Sequence, residues 1–313
     1  MTGARTSVGV DGGQTTLRLA VAGTELRAER AGFSYRHSDP YGEQLAAIRE
    51  CWAEVGRPGP VGRVTLGLTG APSGSERRAE FAAAVGDLFD ADEVWLSGDV
   101  VTSHCGALPD GQGVVLAAGT GTACLGVDAG TGALRTVDAR GYLFGDDGSA
   151  FAVGRAGIAA CLRALDGRGQ ATALADAATA RYGPPARLTQ RLYASPTVVA
   201  DTAAFAVEVD TAAARGDQVA TEIIAAAADD LHRTVVAAAA VVTGEPVPVA
   251  GTGRWFAAPT LHQLLHERLT AEPGLQLVPA AGDALDGACR LAVASAAGAY
   301  RPLFHVHERR CHC

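Results

Sequence analysis

The chain has 313 residues, of which 48% are hydrophobic and 19% are charged, which is enough apolar material for a large core and too little charge for disorder. The net charge is −8 and no basic run is longer than a pair, so we expect no nucleic-acid partner. Arginine supplies all 26 basic side chains, and the absence of lysine excludes both a Walker-type phosphate loop and Schiff-base catalysis.

The hydropathy pattern predicts neither a membrane partner nor export. The longest apolar run without a charge, near residues 235–242, is far shorter than the roughly 20 residues that cross a bilayer. The N-terminal stretch "MTGARTSVGVDGG" enters a strand almost at once and contains no hydrophobic signal core, so we expect a cytoplasmic protein. Seven cysteines, scattered mostly through apolar segments, predict reduced and buried thiols.

The first half of the chain predicts strands that alternate with helices. The segment "SVGVDGGQTTLRLAVAG" is typical of two strands joined at a glycine-rich tip, and a third strand follows after a short turn. Helical spacing of apolar residues begins near Tyr41. The segments "VGRVTLGLTG" and "EVWLSGDV" are predicted strands on either side of the helix "SERRAEFAAAVGDLF". The second of these strands ends at Asp99, and a short helix through His104 closes the half.

The pattern starts again at Gly113, which indicates a diverged internal repeat. The segment "GVVLAAGTGTACLGVDAGTGALRTVD" predicts a second meander of three strands. The rest is mainly helical, with helices predicted near residues 148–165, 171–182 and 217–242, and strands at "PVPVAG" and near 275–278.

These elements predict an α/β protein of two domains. We expect an N-terminal domain over residues 1–108 and a C-terminal domain over residues 109–283, with a hinge near residues 106–113. A terminal helix over about residues 284–299 should pack back onto the N-terminal domain. Residues 300–313, which include the stretch "HVHERRCHC", are expected to form a disordered tail.

The glycine-rich tip of the first hairpin offers hydrogen-bond donors. Glycines leave backbone N–H groups uncovered and the two threonines add hydroxyl groups, which suits phosphate oxygens. Asp11, beside them, would repel bare phosphate but suits a Mg²⁺ ion held through water. The alternative is a turn that merely reverses the chain. The predicted nucleotide contacts of this tip are Gly12, Gly13, Gln14, Thr15 and Thr16.

The second meander repeats the glycine- and threonine-rich tip in "AAGTGTAC". Two donor-lined hairpins, one from each domain, would grip the β- and γ-phosphates of one nucleotide from opposite sides, and this pairing favours a phosphate site over two unrelated turns. The predicted contacts of the second tip are Gly119, Thr120, Gly121 and Thr122.

Six segments, in this order, resemble the superfamily of sugar kinases, heat-shock chaperone ATPases and actin, and within it the N-acetylglucosamine kinase and BadF/BadG-type ATPase branch. The segments are "GVDGGQTT", "LSGDVVTSHCGAL", "GVVLAAGTGT", "GYLFGDDGSAFAVGRAGI", "VAGTGR" and "GDALDGACRLAV", which span residues from about 8 to 293. The resemblance implies a two-domain, actin-like ATPase fold of the ribonuclease H-like type. It also implies that Mg²⁺-ATP and a sugar substrate bind in the interdomain cleft.

The resemblance also implies roles for single residues. Asp99 matches the catalytic base that accepts a proton from the attacking sugar hydroxyl, although an aspartate there could equally cap a helix. Asp146 matches the contact to the sugar ring, and Asp147 replaces a glutamate of that motif; either could instead be a helix cap. Gly251 and Gly253 match the glycine turn on the adenosine side. The implied substrate contacts are Asp146, Asp147, Gly141, Thr120 and Gly121.

This chain departs from the relatives around the sugar. It has no asparagine, whereas the relatives place asparagines there; the later of those positions corresponds to Ala123. The tryptophan of the relatives' "GWG" is missing, because residues 139–141 read "ARG". The substrate therefore stays open among an amino sugar, a hexose and a cyclitol. The early loop offers Ser34, Tyr35, Arg36 and His37.

The leading hypothesis is an ATP-dependent sugar kinase that phosphorylates a hydroxyl, and we expect this to be the 6-hydroxyl. Thr120 would donate to the transferred phosphoryl group. One alternative is an ATPase that acts on a protein partner, as iron–sulfur relatives in the branch do, but the cysteine pattern argues against a cluster. Another alternative is a non-catalytic sugar sensor. The resemblance to the family also implies a homodimer.

Overall fold

A computed structural model describes residues 5–32, 39–72 and 74–309 of the chain. Contacts between Cα atoms divide it into two compact units. The first unit contains Met1–Gln112, Val127–Leu134 and Ala280–Cys313, and the second contains Gly113–Gly126 and Arg135–Pro279.

The strands and helices alternate in the first half, and helices dominate the second. The strands are β1 (Thr6–Gly12), β2 (Thr16–Val21), β3 (Arg27–Ala31), β4 (Val61–Leu68), β5 (Glu93–Ser97), β6 (Gly113–Ala118), β7 (Thr122–Val127), β8 (Leu134–Asp138), β9 (Val247–Thr252), β10 (Leu275–Leu277) and β11 (His305–Glu308). The helices are α1 (Pro40–Glu54), α2 (Ser75–Phe89), α3 (Asp99–Ala107), α4 (Ala150–Leu165), α5 (Leu174–Tyr182), α6 (Pro185–Ala194), α7 (Val198–Ala203), α8 (Ala206–Ala214), α9 (Gln218–Ala239), α10 (Pro259–Ala271) and α11 (Ala284–Val293).

The first unit contains a six-stranded sheet in the order β11-β5-β4-β1-β2-β3. Strand β1 pairs antiparallel with β2 and parallel with β4, and β4 pairs parallel with β5. The central strands β1 and β4 are rich in apolar residues because both of their faces are covered by other elements and are mostly buried. One covering element is α11, whose backbone lies so close to β1 that a side chain at Gly9 would collide with Cys289.

Two close contacts in the first unit depend on glycine. Helices α3 and α11 cross with Gly106 against the carbonyl of Asp283 and Gly287 against the carbonyl of Thr102, so that a Cβ atom at either glycine would overlap backbone. The crossing therefore fixes the N-terminus of α11, where Asp283 is the N-cap, relative to α3.

The C-terminal segment is ordered up to residue 309, which corrects the expected tail. Helix α11 ends at Val293, earlier than expected, and a 3-10 helix over Gly298–Leu303 follows. Strand β11 then pairs antiparallel with β5 and becomes an edge of the sheet. Phe304 packs on Trp95 with ring centroids 5.5 Å apart, and this apolar contact outweighs the polar composition of the segment. Residues 310–313 lie outside the described residues.

The second unit contains a five-stranded sheet in the order β10-β9-β6-β7-β8. This order matches β5-β4-β1-β2-β3 of the first sheet, strand for strand, and β6 pairs parallel with β9 as β1 does with β4. The predicted internal repeat is therefore confirmed.

The helices of the second unit form its large core, whose buried side chains include Phe205, Ile224 and Leu231. Three helices that the sequence pattern did not predict, α6, α7 and α8, lie between α5 and α9. Helix α10 begins at Pro259, and Arg254 and Trp255, which precede it, lie in a turn.

Among the described residues, no helix is both long and apolar enough to cross a membrane. The five cysteines that the structure describes are free thiols, four of them buried and Cys289 half-buried.

Candidate active site

The first tip, residues 12–16, is a tight turn whose free donors differ from those expected. The N–H of Gly13 donates to the carbonyl of Thr16 (2.8 Å), and Gly12 lies within β1. Within the described residues, the N–H groups of Gln14 and Thr15 have no hydrogen-bond partner. The uncovered donors are therefore those of the two turn residues and not those of Gly12 and Gly13.

The carbonyl groups of the first tip are held by neighbouring segments. The N–H of Thr69 donates to Gly12 (2.7 Å) and the N–H of Gly32 donates to Thr15 (3.0 Å). Gly32 lies so close to the tip that a Cβ atom there would overlap the backbone of Gly13, Gln14 and Thr16. The tip is thus supported from behind, and the N–H groups of Gln14 and Thr15 are among the polar groups that it offers to a ligand.

Asp11 lies in β1 opposite Arg18 in β2. The Nε and Nη2 atoms of Arg18 both donate to Oδ2 of Asp11, at 3.1 and 2.6 Å, and its Nη1 donates to Oδ2 of Asp283 at 2.6 Å. Oδ1 of Asp283 accepts the N–H groups of Leu285 and Asp286 at the start of α11. Within the described residues, Oδ1 of Asp11 has no partner, so one oxygen of this carboxylate stays available to a metal-bound water.

Burial and ion pairing have opposite effects on the pKa values of Asp11 and Asp283. Burial raises the pKa of Asp11 above its usual value, although the hydrogen bond and charge of Arg18 act to lower it. Burial also acts to raise the pKa of Asp283, but hydrogen bonds from Arg18 and from backbone N–H groups outweigh it and hold the pKa below the usual value. The partners of Arg18 raise its pKa despite burial, so it remains a cation.

Asp99 is the first residue of α3, directly after the N-cap Gly98. The alternative role as an N-cap is therefore wrong. The hydroxyl of Thr69 donates to Oδ2 of Asp99, and no ion pair within the described residues includes this carboxylate. Burial raises the pKa of Asp99, while hydrogen bonds from Thr69 and from backbone N–H groups act to lower it. A half-buried carboxylate with a raised pKa and no cation partner suits a general base.

In the second tip, residues 119–122, every carbonyl oxygen accepts a hydrogen bond. The helix α4 donates from Ala150 to Gly119 (3.0 Å) and from Phe151 to Thr120 (3.1 Å). Gly119 donates to Gly121 (2.9 Å), and Ala139 donates to Thr122 (3.1 Å). Within the described residues, the N–H groups of Thr120 and Gly121 have no partner, and neither does the buried hydroxyl of Thr122. The tip therefore offers hydrogen-bond donors, while all of its carbonyl oxygens are already engaged. Such a set of donors fits phosphate oxygens.

Asp146 contacts this second tip directly. It is 6% exposed, and its Oδ1 accepts the N–H of Thr122 at 3.1 Å. A Cβ atom at Gly121 would lie 2.8 Å from Oδ2 of Asp146, so only glycine leaves room for this carboxylate. Asp147, by contrast, is exposed. Neither residue caps α4, because its N-cap is Ser149, which accepts the N–H of Ala152 at 3.1 Å.

The 138–147 loop, which carries these two aspartates, turns sharply. Gly141 has a φ of +77°, and its carbonyl accepts the N–H groups of Phe144 and Gly145. Asp138 accepts backbone N–H groups from both ends of the loop. Leu143 and Phe144, at the far end of the loop, are 70% and 90% exposed.

Gly251 and Gly253 each have a packing partner inside the second unit. A Cβ atom at Gly251 would overlap the ring of Phe256, and one at Gly253, whose φ is +93°, would overlap the carbonyl of Ala118. The neighbouring Trp255 is buried and donates from Nε1 to the carbonyl of Gly148 at 2.8 Å. This turn therefore anchors the start of α4, and its approach to a nucleotide stays a prediction.

Comparison with known proteins identifies the family. Residues 8–287 match the BadF/BadG/BcrA/BcrD ATPase family. The chain belongs to this ATPase family. The resemblance inferred from the six segments is thereby confirmed. None of the curated proteins matches the sequence significantly.

Solved structures resemble this family member over nearly its whole length. A provisionally assigned N-acetylglucosamine kinase from Chromobacterium violaceum is 25% identical, with a TM-score of 0.70 over 92% of this chain and 99% of that chain. A similarly assigned protein from Porphyromonas gingivalis is 19% identical, with a TM-score of 0.71 over 91% and 98%. A ROK family glucokinase from Streptomyces griseus, in complex with glucose and AMPPNP, is 15% identical, with a TM-score of 0.56 over 91% and 98%. These likenesses confirm the predicted α/β, actin-like fold.

The sequence pattern missed four polar residues that support the candidate site in this ATPase family member. These are Arg18, Thr69, Asp138 and Asp283. Only the pairing of Asp11 with Arg18 had a signal in the sequence, since residues at mirrored distances from a hairpin turn face each other. The early-loop candidates Ser34, Tyr35, Arg36 and His37 lie outside the described residues.

Proposed function

We propose that this ATPase family member is an ATP-dependent sugar kinase, which transfers the γ-phosphate of Mg²⁺-ATP to a hydroxyl of an amino sugar or hexose. The 6-hydroxyl is the proposed acceptor, because a primary hydroxyl is the least hindered. The kinases among the structures of similar fold support the reaction class. The cytoplasmic location, the homodimer and the placement of the nucleotide in an interdomain cleft stay predictions.

The observation that carries the proposal is the donor pattern of the two tips. In each tip, neighbouring segments engage carbonyl oxygens while two consecutive N–H groups have no partner within the described residues. A tip that only reversed the chain would not need its acceptors held in this way. Backbone N–H groups that point to one side without competing acceptors bind the oxygens of a phosphate group.

The chain's own residues then have separate roles. Asp99 accepts the proton of the attacking hydroxyl, and its lack of a cation partner keeps it basic. Thr120 donates to the transferred phosphoryl group. Asp11 holds a metal-bound water through its free Oδ1 while Arg18 fixes Oδ2. Mg²⁺, when bound, would neutralise charge on the phosphate oxygens.

The sugar would be held by the 138–147 loop. Asp147 is exposed and accepts hydroxyl groups most readily, whereas Asp146 is buried and one of its oxygens accepts the N–H of Thr122. Gly141 allows the sharp turn that brings the two ends of the loop together.

The test is ADP release from Mg²⁺-ATP by the purified protein, alone and with glucose, glucosamine, N-acetylglucosamine, N-acetylmuramic acid and cyclitols. One compound should stimulate release, and Asp99→Asn should reduce the stimulated rate by about 10²- to 10⁴-fold. Asp110→Asn, at an exposed aspartate after α3, is the matched control and should keep the wild-type rate.

Turnover that no sugar stimulates, and that Asp99→Asn leaves unchanged, would contradict the kinase. It would favour the second candidate, an ATPase acting on a protein partner; the family description supports the ATPase activity of that candidate. Cys105 and Cys124 are both buried, which argues against their serving as iron–sulfur ligands in that candidate.

A further inference from the structure

The backbone of the 138–147 loop is organised around one carboxylate, that of Asp138. Its Oδ1 accepts the N–H of Asp146 at 2.8 Å and more weakly that of Arg140 at 3.4 Å, while its Oδ2 accepts the N–H of Asp147 at 3.0 Å. A Cβ atom at Gly145 would overlap Oδ1. Asp138 therefore closes the loop into a ring and sets the backbone positions of both predicted sugar-binding aspartates.

The loop holds conformations that these residues rarely adopt unaided. Asp138, Ala139 and Asp146 have φ values of +61°, +58° and +59°. A left-handed backbone costs a non-glycine residue about 1 kcal/mol or more, and alanine lacks a side chain that could compensate locally. The hydrogen bonds to Asp138, together with those that the carbonyl of Gly141 accepts, offset this cost.

The same loop clamps the second tip from two sides. The N–H of Ala139, next to Asp138, donates to the carbonyl of Thr122, while Oδ1 of Asp146 accepts the N–H of Thr122. The carboxylate of Asp146 also fills the space beside Gly121. A shift of the loop would therefore move both polar backbone groups of Thr122 and the glycine that precedes it.

We propose that Asp138 is a positioning residue that couples the sugar-binding loop to the phosphate-binding second tip. Two of the hydrogen bonds to Asp138 hold Asp146 and Asp147 in place for the sugar. The contacts of Asp146 and Ala139 with Thr122 then fix the donor N–H groups of Thr120 and Gly121 for the nucleotide. The inference rests on the proposed function and extends it, since it predicts that nucleotide affinity depends on a carboxylate that does not itself contact the nucleotide.

The first experiment measures Mg²⁺-ADP affinity by isothermal titration calorimetry for the wild type, Asp138→Asn and Asp166→Asn. Asparagine keeps the shape of the side chain but turns an NH₂ group toward an N–H donor, so that at least one loop hydrogen bond is lost. We expect Asp138→Asn to weaken Mg²⁺-ADP binding about tenfold. Asp166→Asn removes an exposed ion pair to Arg168 in the same unit and should leave the affinity unchanged.

The melting temperature separates positioning from a merely structural role. A variant with a lower melting temperature but wild-type affinity for Mg²⁺-ADP would overturn the proposal. Wild-type protein that binds no Mg²⁺-ADP would instead overturn the proposed function, so the two failures are distinguishable.

A second measurement uses the unmodified chain in case Asp138→Asn does not fold. Hydrogen–deuterium exchange of the wild type is followed with and without Mg²⁺-ADP. Coupling predicts slower amide exchange in residues 138–147 as well as in the second tip, because the hydrogen bonds of Thr122 join the two segments. Slowing that is confined to the second tip would overturn the proposal.

Discussion

Arg18 and Asp11 face each other across the first hairpin, and both donors that Arg18 directs at Asp11 converge on one oxygen, Oδ2. The arrangement leaves Oδ1 free and links the carboxylate, through the third donor of Arg18, to the N-cap of α11. A side chain that two charge-assisted hydrogen bonds orient in this way is set in place before a ligand arrives.

Substitution of Arg18 should therefore weaken nucleotide binding only where Mg²⁺ contributes to it. In Arg18→Gln, Asp11 loses its orienting donors, and we expect the affinity for ADP to fall about tenfold in the presence of Mg²⁺ and to change little in EDTA. Calorimetric titrations under the two conditions measure this difference. Arg49→Gln, at an exposed arginine of α1, is the control. An equal loss with and without Mg²⁺ would show that Arg18 acts on the fold alone.

The acid limb of the pH–rate profile should report the ionisation of Asp99. A base must be charged to accept a proton, and burial raises the pKa of Asp99, so kcat/KM should fall as the pH decreases through that raised pKa. The hydrogen bond from Thr69 lowers the pKa, so Thr69→Val should move the acid limb to higher pH. Profiles of the wild type and Thr69→Val test this shift, and superimposable limbs would argue against Asp99 as the base.

Alanine substitutions at two glycines of the second tip should differ in their cost. At Gly121 a Cβ atom would meet the carboxylate of Asp146 at 2.8 Å, whereas the space around Gly119 is open within 4 Å. We expect Gly121→Ala to destabilise the protein by about 1–3 kcal/mol through overpacking, and Gly119→Ala to change the free energy of unfolding much less. Urea denaturation of both variants measures the contrast. Similar losses would mean that Asp146 can move away from the tip.

Asp217 should contribute to stability in a pH-dependent way. Its carboxylate caps α9 by accepting the N–H of Ala220 and also accepts hydrogen bonds from Thr172 and Ala173. Burial acts to raise its pKa, but these hydrogen bonds outweigh it and hold the pKa below the usual value. The contribution is therefore fully present above the unfolded-state pKa and is lost as the pH falls through the lower, folded-state pKa.

Asp217→Ala should accordingly lower the free energy of unfolding by about 1–2 kcal/mol at neutral pH, with a smaller difference from the wild type in acid. Denaturation curves at neutral pH and in acid measure this. Asp176→Ala, at an exposed aspartate of α5, should have little effect at either pH. A loss for Asp217→Ala that does not depend on pH would contradict a role for its charge.

Much of the fold was predictable because its signals are local. The apolar runs and glycine tips of both meanders, and the helix over Ser75–Phe89, follow from hydrophobic periodicity and turn chemistry, and the repeated pattern anticipated the matching strand orders of the two sheets. Helices α6 to α8 were not predicted because they are short, at 10, 6 and 9 residues, so that each offers at most about three turns of helical periodicity. Strand β11 was not predicted because its composition is polar and only its pairing with β5 makes it a strand.

For the candidate site, the sequence by itself determined the two glycine-rich tips, the carboxylates of Asp11 and Asp99, and the family, since these depend on residue type and order along the chain. Only the tertiary structure decided which N–H groups remain free, which oxygen of Asp11 is engaged, and that Asp138 and Asp146 clamp the second tip. The physical reason is that a backbone donor or a carboxylate oxygen is available only when no neighbour uses it. Such neighbours are up to 265 residues apart along the chain, as Arg18 and Asp283 are.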